Sequence, residues 1–455
     1  MADKQTKTWS SNYLFLLASI GSTVGLSNIW RFTYLAGENG GGAFVLVYVI
    51  SLLVMGIPIL AAELLIGRRG GKSMVGTLKA LALRDGLSPA WKYFGWVAMV
   101  GVFLILSFYC VIAGLTLDYT ITSLFGVLNN LDAVSAVGYY NGILADPFRV
   151  MLSQFIFVVA NVWIVARGVQ DGLERTTGWM TPALFIILVA LVFYAMFAGS
   201  FSEGVSFLFS PDFSKITPRV ILAAFGQAFF SLGIGVGVML TYGAYMPRSS
   251  SILRSSAIIS FSDGLASMLA GLAIFPIVFQ YGLSPTEGPG LIFMTLPIAF
   301  GQMPGGGVIG ALFFLLLVFA ALTSSISLFE SIIAHFEETT GMGRKKITIY
   351  AGVVLWLVGL GSVFSFNIWS GFTPLAFIKP LEGKTIFGII DYFGSNLLMP
   401  IGGILMAVIA GWLLSRQSTH EELDLPNENI FMVWRILIRF IAPATVAAIF
   451  FYNLY

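Results

Sequence analysis

Charge is scarce in this chain. Only 10% of its 455 residues are Asp, Glu, Lys or Arg, against about 25% in a soluble globular domain. Cysteine occurs once, as Cys110 within an apolar run, which excludes an internal disulfide and any thiolate-cluster metal site. The two histidines, His335 and His420, are far apart and show no metal-ligand spacing. A net charge of +2 gives no sign of a nucleic-acid partner. No Ser–His or paired-aspartate arrangement suggests hydrolytic chemistry, so the chain does not read as an enzyme. A signal-peptide cleavage site is missing as well. The first apolar stretch, from Tyr13, continues into a long span and reads as a mature helix.

What the chain has instead is length of apolar run. It is 57% hydrophobic, with mean hydropathy +0.90. Stretches such as Ala43–Leu65 and Phe94–Leu117 match the roughly 20 apolar residues that cross a bilayer. The expected architecture is all-α: one polytopic transmembrane domain over residues 1–455, with membrane lipid as its solvent. Hydropathy predicts about eleven spans, at 12–36, 42–67, 94–124, 150–167, 176–198, 219–246, 255–281, 307–337, 347–368, 385–414 and 430–453. Placing the N-terminus in the cytoplasm of a plasma-membrane protein puts three-quarters of the Lys and Arg residues on one side, including Arg68, Arg69, Arg248, Arg344, Arg435 and Arg439. That asymmetry is the positive-inside pattern. An odd number of spans then leaves the C-terminus outside.

Two spans are interrupted. Span 1 carries Gly21-Ser22-Thr23-Val24-Gly25-Leu26-Ser27-Asn28, and span 6 carries Ser231-Leu232-Gly233-Ile234-Gly235-Val236-Gly237. Glycine weakens a helix, and Ser, Thr and Asn side chains compete for backbone hydrogen bonds. Such glycines can serve close helix packing alone. Here, however, the two interruptions lie five spans apart, at matching places in two halves (12–198 and 219–414) of opposite topology, with 430–453 as an additional helix. Matched broken helices are the sequence mark of a transporter's binding site: half-helix N-termini attract a carboxylate, while freed carbonyls ligate a cation.

The residues around the first break, Ser22 through Phe32 followed by Glu38-Asn39-Gly40-Gly41-Gly42-Ala43-Phe44, resemble the first-helix signature of the neurotransmitter:sodium symporter family. Ala320-Ala321-Leu322-Thr323-Ser324-Ser325 resembles that family's eighth helix. The resemblance covers spans 1 to 10 and implies an inverted five-plus-five, LeuT-type helical bundle. It also implies two bound sodium ions. At the second sodium site, backbone oxygens of Gly21, Val24 and Ala320 would join the hydroxyls of Thr323 and Ser324. At the first, Thr23 would give a carbonyl, Asn28 and Asp263 side-chain oxygens, and Ser231 a contribution from span 6. Neutral oxygens suit a monovalent ion that must be released again. Asn28 could equally be an interhelical hydrogen bonder, and Thr323 and Ser324 could bond back to their own helix.

Within this resemblance, amine carriers have an aspartate where this chain has Gly25. Glycine leaves room there for a substrate's own carboxylate, beside Leu26 and Thr23, with Tyr109 matching the tyrosine that hydrogen-bonds it. Ile105, Phe230, Ser231, Gly233, Val236, Ser324 and Leu328 are expected around the side chain. The implied substrate is a bulky hydrophobic amino acid such as leucine or tryptophan. A different small amino acid or an osmolyte is the alternative. By resemblance Arg31 and Asp391 form an outer gate, with Phe230 and Tyr109 closing over the substrate. Trp9 plugs the cytoplasmic side, with Glu338 as the acidic gate partner. The family's N-terminal arginine is replaced by Thr6, so Lys4 or Lys7 would have to substitute. Asp263 replaces a common asparagine and implies chloride-independent transport. Gly172 and Pro182 suggest a hinge in span 5.

Overall fold

The computed structural model describes residues 8–86, 88–286, 290–303, 305–425 and 427–454. Lys4, Thr6 and Lys7 lie outside them. Among the described residues the chain is helical, without strands.

Among the described residues, nine helices are long and apolar enough to cross a membrane: Gly42–Gly70, Trp91–Leu124, Pro147–Val165, Val169–Ala198, Ile252–Gln280, Gly306–Thr340, Arg344–Ser365, Ile386–Leu413 and Glu428–Tyr452. These are spans 2–5 and 7–11. Span 1 is a bent pair, Asn12–Thr23 and Ser27–Glu38, with 52° between its halves. Span 6 is also two pieces, Pro218–Ser231 and Val238–Ala244. Its first piece packs on Gly42–Ser51 and its second on Ile57–Gly70. The two pieces together pack along span 2, but by length and composition nine helices, or ten with the bent pair, qualify as spans among the described residues, against about eleven expected.

Several spans begin three or more residues earlier than hydropathy predicts, because their first turns carry a charged residue such as Arg149 or Arg254. Span 4 starts at Pro147, where the Asp146 carboxylate accepts from the N–H groups of Phe148 and Arg149 at 3.0 and 3.1 Å. Span 7 starts at Ile252, capped by Ser251. Such caps satisfy otherwise unpaired N–H groups at a helix start, but they lower the local hydropathy. Hydropathy predicts none of five connecting helices that are too short to cross a membrane: Met74–Arg84, Ala133–Ala145, Phe201–Phe209, Leu291–Gln302 and Arg416–Leu423.

Spans 3 and 8 pack along each other, span 5 packs on span 7, and span 1 touches spans 5, 7 and 8. Span 1 is thus held inside the bundle. One end of that bundle, the basic end, collects buried ion pairs. Arg68 pairs with Glu422 at 2.6 Å and donates to the Ser250 carbonyl at 2.6 Å. Arg344 pairs with Glu330 and with Glu337, the latter at 2.9 Å, and donates to the Val165 carbonyl. Burying a charge is unfavourable unless it is paired, and these pairs knit spans 2, 4, 8 and 9 to the connecting segments.

Candidate functional site

At the first break the helix ends at Thr23, Val24 takes extended backbone angles, and helix resumes at Leu26–Ser27. The Asn28 side chain closes the gap. Its Oδ1 accepts from the Gly25 N–H at 2.9 Å. Its Nδ2 lies within hydrogen-bond reach of the Asp263 carbonyl (3.1 Å), Asp263 Oδ1 (2.8 Å) and Ser267 Oγ (3.0 Å). One side chain therefore ties the break in span 1 to span 7.

Asp263 is fully buried and collects donors from three other spans. Its Oδ2 accepts from the Tyr48 hydroxyl at 3.0 Å and from Ser231 Oγ at 2.8 Å, while Oδ1 faces Asn28. Ser231 is the last helical residue before the break in span 6. Asn28, Ser231 and Asp263, expected together from sequence, do meet. Among the described residues no three His, Cys, Asp or Glu side chains gather as a metal site. A cation here would face hydroxyl, amide and carbonyl oxygens with a single carboxylate, a hard-oxygen set suited to an alkali ion.

Of the second expected cluster, Gly21, Thr323 and Ser324 are brought together. Ser324 Oγ donates to the Gly21 carbonyl at 3.4 Å. A Cβ placed on Gly21 would contact Thr181 Oγ1 and lie 3.2 Å from Thr323 Cβ, so spans 1, 5 and 8 converge on that glycine. Thr323 Oγ1 bonds back to its own helix, to the Phe319 and Ala320 carbonyls at 2.9 and 3.2 Å. Thr23 does the same toward Ile20. Ser324 bridges helices instead. Val24 and Ala320 are fully buried.

Between these clusters lies Gly25. A Cβ there would sit 2.8 Å from Ser324 Oγ and 3.4 Å from the Tyr109 hydroxyl. That hydroxyl is buried and makes no well-aligned hydrogen bond; the Leu26 N–H and the Ser324 hydroxyl are its polar neighbours. A buried, unpaired hydroxyl is unfavourable by about 1–3 kcal/mol and is unusual enough to mark a site. Of the residues expected around a substrate, Ile105, Leu26 and Val236 are buried, and Phe230, Gly233 and Leu328 are partly buried. A Cβ on Gly233 would meet nothing within 4 Å.

This geometry has counterparts in known proteins. The family model described as sodium:neurotransmitter symporter family matches residues 6–134 and 145–455. The chain belongs to the sodium:neurotransmitter symporter family. Its relatives include the uncharacterized sodium-dependent transporter YhdH of Bacillus subtilis, 37% identical over 99% of this chain and 98% of that one. A second, from Haemophilus influenzae and also described as a sodium-dependent transporter, is 33% identical over 100% of this chain and 99% of the relative. Among solved structures, that of MhsT in complex with L-phenylalanine superposes with a TM-score of 0.88 and 39% identity, covering 99% of this chain and 100% of MhsT. The protein is thus a multi-pass, sodium-dependent symporter with the LeuT-type fold.

The two ends of this symporter differ. At the basic end Trp9 is buried: its backbone N–H donates to the Tyr245 carbonyl at 3.0 Å and its indole N–H to the Tyr242 carbonyl at 3.1 Å. Its ring packs edge-on against Tyr242, with centroids 4.9 Å apart. Glu338 receives the Ser73 N–H at 2.8 Å, on the segment that starts the Met74–Arg84 helix. At the opposite end Arg31 and Asp391 form no ion pair. The guanidinium of Arg31 lies 4.5 Å from the centre of the Phe230 ring, and Asp391 accepts from Ser395.

Sequence reasoning missed the roles of three residues. Glu63 of span 2 accepts from the Gly235 N–H at 2.6 Å and so holds the break in span 6. Gln227 donates to the Ser27 carbonyl at 2.9 Å. Glu174 takes both the N–H and the hydroxyl of Ser10 at 2.6 Å, fastening the residue after Trp9 to the start of span 5, next to Gly172. The only signal in the sequence was a polar residue in or beside an apolar run.

Proposed function

We propose that this symporter imports whole hydrophobic L-amino acids, aliphatic or aromatic, together with two sodium ions by alternating access. The observation that carries this reading is the side-chain-free backbone at Gly25. It lies against the unpaired Tyr109 hydroxyl and Ser324, at the end of a broken helix whose N–H groups favour an anion. A substrate carboxylate placed there would take the Tyr109 hydroxyl as donor and stand next to the Asn28–Asp263 cluster. The apolar surroundings of Ile105, Val236 and Leu328, with open space at Gly233, favour a bulky apolar side chain. The L-phenylalanine bound to MhsT supports the same class.

In this reading the first sodium takes oxygens of Thr23, Asn28, Ser231 and Asp263. The second takes oxygens of Gly21, Val24, Ala320, Thr323 and Ser324. With the basic end cytoplasmic, Trp9 seals the inner side while Arg31 and Asp391 stand apart at the outer side. Substrate and ions enter from outside, Arg31 and Asp391 approach each other over Phe230, and release of Trp9 opens the inner path. Two sodium ions moving down a tenfold gradient and 100 mV supply about 7 kcal/mol, ample to concentrate a zwitterion.

The test is uptake by proteoliposomes. An inward sodium gradient drives accumulation of labelled leucine or tryptophan, and an equal potassium gradient drives none. Sodium-independent uptake overturns the coupling. Failure of every hydrophobic amino acid in a binding screen, with a small polar amino acid or osmolyte bound instead, overturns the substrate class. Because Asp263 supplies a negative charge beside the first sodium, uptake is equal in chloride and gluconate media; strict chloride dependence overturns that part.

A further inference from the structure

Span 11 carries two arginines one helical turn apart. Arg435 and Arg439 are four residues apart, hence on one face and about 6 Å apart along the helix axis. Among the described residues neither makes an ion pair. Arg435 donates to Thr419 Oγ1 at 3.0 Å, and its charged neighbours are Arg439 and Arg416. Arg439 donates to the Gly411 carbonyl at 2.7 Å and lies over the Trp412 ring at 4.5 Å. Glu428, in the first turn of the same helix, is already engaged by Arg416 and by His420 Nε2, the latter at 2.9 Å.

Two cations on one face at the edge of the hydrocarbon, with no carboxylate between them, repel each other and call for a counter-charge. The surface beside them is apolar and exposed: Trp412 at the end of span 10, and Ile436 and Phe440 on span 11. Cationic heads above an exposed apolar strip match the two halves of a lipid molecule. We propose that the groove between the end of span 10 and the start of span 11, at the basic end, is a binding site for an anionic phospholipid. Its phosphate lies between Arg435 and Arg439, and its acyl chains run over Trp412, Ile436 and Phe440. These residues stand apart from the substrate and sodium clusters of spans 1, 3, 6, 7 and 8, so the site acts on the scaffold.

The experiment is lipid retention by the purified full-length transporter. After incubation with equimolar phosphatidylglycerol and phosphatidylcholine, native mass spectrometry counts the bound lipids. The wild type retains phosphatidylglycerol preferentially, by about fivefold per arginine engaged. The Arg435→Gln/Arg439→Gln variant loses that preference while leucine uptake in phosphatidylcholine liposomes persists. Inorganic phosphate does not displace the bound lipid. An unchanged preference in the double variant overturns the site, and displacement by inorganic phosphate overturns its lipid character. Should the double variant fail to fold, Trp412 fluorescence decides, read as wild type minus Trp412→Phe. Stronger quenching by brominated phosphatidylglycerol than by brominated phosphatidylcholine supports the site, and equal quenching overturns it.

Discussion

The two broken spans look alike in sequence and are built differently. In span 1 the interruption is short, has no left-handed residue, and is closed by a side chain, Asn28, which reaches both the Gly25 N–H and Asp263. In span 6 the interruption runs over six residues, from Leu232 to Gly237. Three of them are glycines with positive φ: Gly233 at 60°, Gly235 at 91° and Gly237 at 72°. Its middle presses backbone to backbone on span 10, where a Cβ on Gly235 would contact the Met399 carbonyl and lie 2.6 Å from the Gly403 nitrogen. The first break is held by polar side chains that an ion or substrate can re-partner. The second is held by close backbone fit together with the buried Glu63 carboxylate on the Gly235 N–H. That division makes span 1 the responsive half of the site and span 6 its frame.

The division is sharpest at Gly235. Gly235→Ala adds a left-handed penalty of about 1–2 kcal/mol to an overlap with span 10 backbone that cannot move aside. We expect loss of the folded, transporting protein, seen as collapsed expression and no sodium-driven uptake. Gly233→Ala bears a similar backbone penalty but meets open space. It keeps the fold and shifts preference away from the bulkiest substrates. Equal tolerance at both glycines would break the claim that span 6 is a frame.

In span 1 the next largest effect falls on Asn28→Ala. It leaves the Gly25 N–H and Asp263 without their shared partner, a loss of about 1–3 kcal/mol for each buried group left unpaired. The measurement is thermal unfolding in sodium against potassium: the stabilisation that sodium gives the wild type disappears. Gly25→Ala is milder. It presses a methyl against Ser324 Oγ and toward the Tyr109 hydroxyl, where the serine side chain can rotate aside, without straining the backbone, since Gly25 has no positive φ. Amino-acid affinity falls about tenfold, a loss of about 1.4 kcal/mol, while sodium-dependent stabilisation survives. If both variants lose sodium and substrate response equally, the two functions are not separable within this break.

Much of this arrangement is legible in the amino-acid sequence. The two breaks, the convergence of Asn28, Ser231 and Asp263, and the proximity of Gly25 to Tyr109 and Ser324 follow from polar and glycine residues out of place in apolar spans, together with the family resemblance. A rule about what lipid tolerates is enough to flag the breaks. The partners that fix them are harder to read. Glu63 and Gln227 lie in other spans, and only packing decides which break a buried polar side chain serves. Glu174 is hidden for a related reason: its partner Ser10 is remote in sequence and unremarkable in type. Arg31 and Asp391 show the opposite limit. Resemblance names them as a pair, but whether they touch depends on the conformation, which sequence does not encode.

The smallest expected effect tests how the frame in span 6 is held. Glu63 is fully buried, with Oε1 on the Gly235 N–H at 2.6 Å and Oε2 without a partner. If the acceptor oxygen is what matters, Glu63→Gln preserves it and changes stability by no more than about 1 kcal/mol, with uptake retained. Glu63→Ala removes the acceptor, orphans the Gly235 N–H and leaves a cavity, and costs about 2–4 kcal/mol. Comparing the two melting temperatures isolates the charge, because glutamine and glutamate fill nearly the same volume. A glutamine variant as damaged as the alanine one would mean that the break in span 6 needs a negative charge. Both breaks would then be electrostatic, and the distinction between a responsive half and a rigid frame would fail at this residue.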